Sequence, residues 1–378
     1  MSKSIFIATN RDFRSIRGTG YYELRDQPNR KGPKELRLFE ATRDVGAPGG
    51  WNLRIVPDKV VLSDLRKAEM GHAWLKARKY GGSQLVAGEL IRRLRMNGSN
   101  FLFFIHGYNN NVYDALNRAE SISARYNVEV LLFSWPANGG GERFFEDLHG
   151  KASYLSDKSD ARASTEALDR ALSRMYNLLG ELNQGVFEEI QREVQQRYPD
   201  DLDARREEIS RLLQERACPF KVSLLAHSMG NYLFKKMLLT SSERLSRNVV
   251  FDNVILKAAD TNHAKHAEWV SRIRARKRVY ITINQDDHAL ALSNLKIGAQ
   301  QKPRLGSTLR EQDAPFATYI DFTHFLEDEH SYFVENDLKA GRPPEDLARF
   351  SGFFGKAVNG EIAETGLPYH ADSHTYLM

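Results

Sequence analysis

A serine, several carboxylates and two histidines stand in this chain in an order that could carry acyl transfer. The serine is Ser228, in "VSLLAHSMGNYLFKK". The apolar run over residues 222–226 predicts a buried strand, and residues 231–239 predict a helix. So few residues separate the two that the chain must turn sharply at Ser228. Small residues, Ala226 and Gly230, stand two positions to either side. Strain at such a turn lifts the hydroxyl clear of the sheet, and the first N–H groups of the helix face the same spot. A hydroxyl is a weak nucleophile until a base takes its proton and a carboxylate orients that base. Acids stand at later strand ends: Asp260 in "VILKAAD", and Asp286 and Asp287 in "VYITINQDD". His324 and His330 follow, His330 at the expected mouth of a helix near Ser331. Taken singly, the serine and each acid also suit helix capping; the combination in this order points to chemistry.

An earlier segment, "FFIHGYNNN", adds His106 and Gly107 directly after the strand predicted over residues 101–105. Glycine there lets the chain fold back toward the serine, so that the N–H groups of Tyr108 and Met229 form an oxyanion hole. His106 precedes the serine and reads as a structural hydrogen-bonding residue. With an imidazole as base, activity should rise with pH through roughly 6 to 7.

To position these groups the chain needs a parallel sheet, and its pattern supplies one. Apolar runs at residues 101–105, 128–135 and 222–226 predict strands, as do "VILKAAD", "VYITINQDD" and "ATYIDFT". Helical periodicity falls between them, over residues 110–126, 160–179, 231–239 and about 264–273. Unbroken apolar strands alternating with helices indicate a doubly wound α/β fold with a mostly parallel sheet. "SIFIATNR" and "WNLRIV" read as earlier strands of the same sheet, and the Gly- and Arg-rich stretch between them is left unassigned. The expected division is residues 1–100 as N-terminal strands with an irregular extension, 101–345 as the catalytic core, and 346–378 as a weakly ordered or surface-wrapping tail.

Gly180 is read as the stop of the helix over residues 160–179. Residues 182–218 then read as an inserted helical hairpin. Phe187, Ile190 and Val194 form one stripe and Leu202, Ile209, Leu212 and Leu213 another, with "YPDD" as the turn. The preceding helix leads toward the amino ends of the strands, so the hairpin is expected on the side opposite Ser228. Its narrow apolar stripes suit core packing or a homo-oligomer contact rather than a lid.

The motifs "IFIATNR", "FFIHGYNN", "LLFSWPANG", "LLAHSMGN", "DDHALALS" and "EHSYF" resemble, in order, the α/β-hydrolase superfamily and within it the bacterial family of domain of unknown function 900. The resemblance runs from about Ser4 to Leu338. It implies Ser228 as nucleophile, His330 as base and Asp287 as the acid; by position in the chain Asp260 and Asp286 stay alternative acids and His324 an alternative base. It implies no cofactor. Ala226 replaces the glycine that usually opens the serine turn.

Other classes fare less well. Asp260, His263, His266 and His288 are potential metal ligands, but they lack a recognised spacing and no metal is expected. An acyltransferase would use the same three groups, and a non-catalytic binding protein would keep only the fold. The net charge of +5 arises from 54 basic against 49 acidic residues, which does not call for a nucleic-acid partner. The densest basic run, residues 272–278, reads as a solvated helix end. One cysteine, no apolar leader and no membrane-length stretch lead to the expectation of a cytoplasmic protein acting on a small ester or acyl substrate.

Overall fold

The computed structural model describes residues 4–60, 80–137, 158–216, 220–240, 250–295 and 303–378. In chain order its elements begin with β1 (Ser4–Thr9), β2 (Arg11–Ser15), β3 (Tyr22–Pro28), β4 (Arg37–Arg43), β5 (Trp51–Ile55), β6 (Lys59–Val60) and β7 (Tyr80–Gly81). Then come α1 (Gly82–Asn97), β8 (Asn100–Ile105), α2 (Val112–Tyr126), β9 (Val128–Ser134), α3 (Thr165–Arg197), α4 (Leu202–Arg216), β10 (Val222–His227) and α5 (Met229–Thr240). The chain closes with β11 (Phe251–Lys257), α6 (His266–Val270), β12 (Ala275–Ile283), α7 (His288–Leu295), β13 (Ala317–Asp321), α8 (Thr323–Leu326), α9 (Pro344–Val358), β14 (Tyr369–His370) and β15 (Thr375–Leu377).

Strands β8, β9, β10 and β11 are apolar on both faces because both faces are covered. One core layer includes Phe103, Leu224, Leu233 and Trp269; the other includes Phe104, Leu225, Ile255 and Phe354. Thirteen strands share one sheet, in the order β14-β15-β13-β12-β11-β10-β8-β9-β1-β4-β5-β3-β2. Every neighbouring pair from β15 to β1 is parallel. The β4-β5-β3-β2 end and the β14 edge are antiparallel. The stretch left unassigned between β1 and β5 therefore supplies three strands. They carry few apolar residues because one side of each is wet; in β4 only Phe39 and Ala41 are buried.

Three further expectations are corrected. Gly180 does not stop its helix: α3 runs unbroken for 33 residues to Arg197. A helical glycine costs only about 1 kcal/mol against alanine, and buried Leu178, Ile190 and Val194 on either side of it outweigh that. The C-terminal segment is not loosely held, and a boundary at 345 would cut α9. That helix buries Phe350, Phe353, Phe354, Ala357 and Val358, and β15 extends the parallel sheet beside β13. Each buried phenylalanine is worth about 1.5–3 kcal/mol of apolar transfer. The basic run lies largely inside β12 rather than at a helix end. Arg276 reaches Asp252 at 3.4 Å, Arg278 reaches Glu364 at 2.6 Å, and Lys277 donates to the Gly360 carbonyl at 2.6 Å. Lys277 and Arg278 thus brace the C-terminal segment, while Arg276 ties β12 to β11.

Helix α3 starts at the carboxyl ends of the strands, where Asn10 Nδ2 donates to Ser164 Oγ at 2.9 Å just ahead of its first turn. By Leu178 it has reached Phe101 and Phe220 at the amino ends of β8 and β10. Its remaining turns run on beyond that end, where Ile190 and Val194 pack against Leu212 of α4. No described helix is long and apolar enough to cross a membrane.

Candidate active site

Ser228 sits between β10 and α5 with φ = +51°, a left-handed backbone that non-glycine residues rarely adopt. Three backbone–backbone hydrogen bonds hold it there, and Asn231 Nδ2 adds a fourth to its carbonyl at 3.2 Å. Its N–H donates to the Lys257 carbonyl (3.0 Å), and its own carbonyl accepts from the N–H groups of Asn231 (3.0 Å) and Asp260 (3.2 Å). The turn is tight enough to demand small neighbours. A Cβ on Gly230 would lie 2.6 Å from the His106 carbonyl oxygen, and one on Gly107 would lie 2.8 Å from the Ser228 Cβ. The requirement for small residues thus comes from the β8 loop pressing against the serine.

Two of the candidate groups meet 43 positions apart in sequence: His330 Nδ1 and Asp287 Oδ2 are 2.7 Å apart. Asp287 is fully buried, and its other oxygen, Oδ1, accepts from the Leu290 N–H at 2.9 Å. It is therefore a helix cap for α7 and a partner of His330 at once, one oxygen for each. That geometry makes Nδ1 the protonated nitrogen of a neutral His330 and turns Nε2 into a potential acceptor. His330 lies in a loop rather than at the mouth of a helix, which corrects the sequence expectation. Directly after it the chain carries no helix, and Tyr332 and Phe333 drop into the core. Asn284 Nδ2 holds the loop by donating to the carbonyls of Glu327 (2.8 Å) and Glu329 (3.2 Å).

Ser228 and His330 line one cleft of about 550 Å³ with Tyr108, Asn110, Arg118, Asp260 and His288. A second hollow of about 490 Å³ lies at the amino ends of the strands, among Leu38, Leu90, Phe101, Leu178 and Phe220. Its described walls contain none of the candidate groups.

Of the alternative groups, Asp260 lines the same cleft but is engaged by other partners, whereas Asp286 and His324 lie in a separate recess. Asp260 is buried and engaged by Arg304 Nε at 3.0 Å and Ser293 Oγ at 2.8 Å. Asp286 is exposed and shares a surface recess with His324, which is exposed on α8, and with Lys339. Of the potential metal ligands, His266 uses both ring nitrogens, Nδ1 on the His263 carbonyl (2.9 Å) and Nε2 on the Tyr319 hydroxyl (2.6 Å). Among the described residues no three His, Cys, Asp or Glu side chains are grouped to hold a metal.

Tyr108 lines the cleft, and Met229 opens α5 directly after Ser228, so its N–H is one of the helix's free amides. His106 stacks on Trp135 with ring centroids 5.4 Å apart, and its Nδ1 donates to the Gly107 carbonyl at 2.9 Å. Burial holds its pKa down to about 3. Burial, with Lys257 and His330 alongside, also keeps His227 well below the usual imidazole range. Both rings are therefore neutral over the range in which an ordinary imidazole titrates.

A test of the base follows. His330→Ala should cost on the order of 10⁴ or more in turnover, and His324→Ala, removing an exposed ring from a separate recess, should change it less than about twofold. Ester hydrolysis by the two purified variants decides; equal losses would detach His330 from the chemistry.

Sequence reading had not singled out Arg118, His288 or Ser293 as cleft residues. Arg118 was legible only as a polar position on α2; its place against Phe333 (4.6 Å to the ring) and Asp337 (2.6 Å) depends on a segment 219 positions away.

The protein-family profile described as an alpha/beta hydrolase of unknown function (DUF900) matches residues 84–181 and 200–338, more than half of the chain. No curated protein and no solved structure matches it.

Proposed function

The chain belongs to this α/β-hydrolase family, whose membership suggests hydrolase activity, and from that premise we propose a serine hydrolase that cleaves a carboxylic ester or related acyl bond. The observation that supports this most is the 2.7 Å His330–Asp287 contact in a cleft shared with a serine held at φ = +51°. In this reading Ser228 Oγ bonds to the acyl carbon while its proton passes to His330 Nε2. Asp287 stabilises the imidazolium that forms. The N–H groups of Tyr108 and Met229 receive the developing oxyanion. The bond to the leaving alcohol breaks as that oxygen takes the proton from His330. A water then gives its proton to His330 and its oxygen to the acyl carbon, and Ser228 Oγ recovers its proton. Transfer to an alcohol or amine in place of water would be acyltransferase chemistry with the same groups. Turnover of short and long chromogenic esters, with and without an added acceptor alcohol, tests the proposal and separates the two outcomes.

The paired ends of α3 and α4 are assigned a packing or self-association role, because they extend beyond the amino ends of the strands. Replacing residues 184–217 with a short Gly/Ser linker should change stability or oligomeric state in sedimentation, yet leave hydrolysis of a small ester within about twofold. A folded deletion variant without activity would make this element part of the site.

A further inference from the structure

Lys257 ends β11 and is fully buried. A lysine with no access to water is costly unless something needs its donor there. Its surroundings are unusual: the ammonium nitrogen lies 3.4 Å from the ring centroid of Tyr332 and 4.1 Å from that of Phe333. It also donates to the carbonyl of His330 at 3.4 Å. Three of the four residues from His330 to Phe333 are thus folded around one amine. The same carbonyl accepts from His227 Nε2 at 3.3 Å, and His227 and Lys257 are register partners on adjacent parallel strands.

The main chain of Lys257 faces the other way. Its carbonyl accepts from the Ser228 N–H and from Asn231 Nδ2, each at 3.0 Å. One residue therefore grips the serine turn through its backbone and the histidine loop through its side chain. We propose that Lys257, helped by His227, is a positioning residue that fixes the His330 loop against the Ser228 turn. The inference rests on the serine-hydrolase reading above and adds a residue to it that touches no substrate. Burial drives the Lys257 pKa well below that of a free lysine. Loss of the donor frees the His330 carbonyl from one of its two anchors. A displacement of about 1 Å at the base can cost about 100-fold in the chemical step without touching binding.

The test is Lys257→Met, which keeps an unbranched stem of similar length and removes the donor. Labelling by a fluorophosphonate is followed against probe concentration, giving a saturating rate and a half-saturating concentration. For a variant with a cooperative thermal transition, the saturating rate should fall at least about tenfold while half-saturation stays within about twofold. A saturating rate equal to wild type, or a loss confined to half-saturation, overturns the proposal. If Lys257→Met does not fold, His227→Phe, which keeps a ring and removes the second donor, is judged by the same two numbers. Wild-type protein that is never labelled at Ser228 would instead defeat the serine-hydrolase reading itself.

Discussion

Ser228→Ala should remove ester hydrolysis, with a loss on the order of 10⁶ in turnover, and should leave the fold unchanged. The size of the effect follows from what remains: without Oγ, the Asp287–His330 pair has no proton to accept from a nucleophile, and only the amides of the cleft are left to act. The fold should persist because what the structure uses from this residue is its backbone. The Ser228 N–H and carbonyl make the contacts to Lys257, Asn231 and Asp260, and alanine retains all three. Thermal unfolding and turnover, measured on one preparation, separate the two halves of the statement. A variant that still turns over at the wild-type rate places the nucleophile elsewhere.

Asp287→Asn should be the next most damaging single change, at about 10⁴ in turnover. The amide keeps the shape and can still cap α7, but it cannot stabilise an imidazolium, and an NH₂ facing Nδ1 inverts the tautomer of His330. Asp260→Asn should cost far less in the chemical step, since its carboxylate is committed to Arg304 and Ser293. Its damage should appear as lost stability, because a buried arginine is left without its partner. Turnover and melting temperature of the pair therefore move in opposite order. An Asp260 variant slower than the Asp287 variant, with an intact fold, would exchange their roles.

How far these sites could be read from the chain depended on which contacts are local. The strands β8 to β11 announced themselves because burial on two faces leaves runs dominated by apolar residues. The serine turn was visible because its small neighbours, Ala226 and Gly230, adjoin it in sequence. The choice among Asp260, Asp286 and Asp287 was not local. It turns on which carboxylate points at His330, and strand-end position alone does not say that; the family resemblance had pointed to Asp287. Strands β2 to β4 escaped because a half-wet antiparallel strand such as "RLFEATR" carries two inward apolar residues among charges. Helix α9 had left its signals in plain view: a proline at the first helical position, then phenylalanines at helical spacing from Phe350 to Phe354. Lys257 lay beyond reach altogether. In sequence it is one cation at a strand end, and its meaning comes from a loop 73 positions later.

The central claim, that Ser228 is the nucleophile of the cleft, is tested most directly by treating the full-length protein with a fluorophosphonate probe and locating the adduct by peptide mass spectrometry. The account predicts one stoichiometric phosphonyl adduct on Ser228, formed with loss of fluoride and faster as pH rises through about 6 to 7. An adduct on any other residue, or an unmodified Ser228 in folded protein, would contradict it.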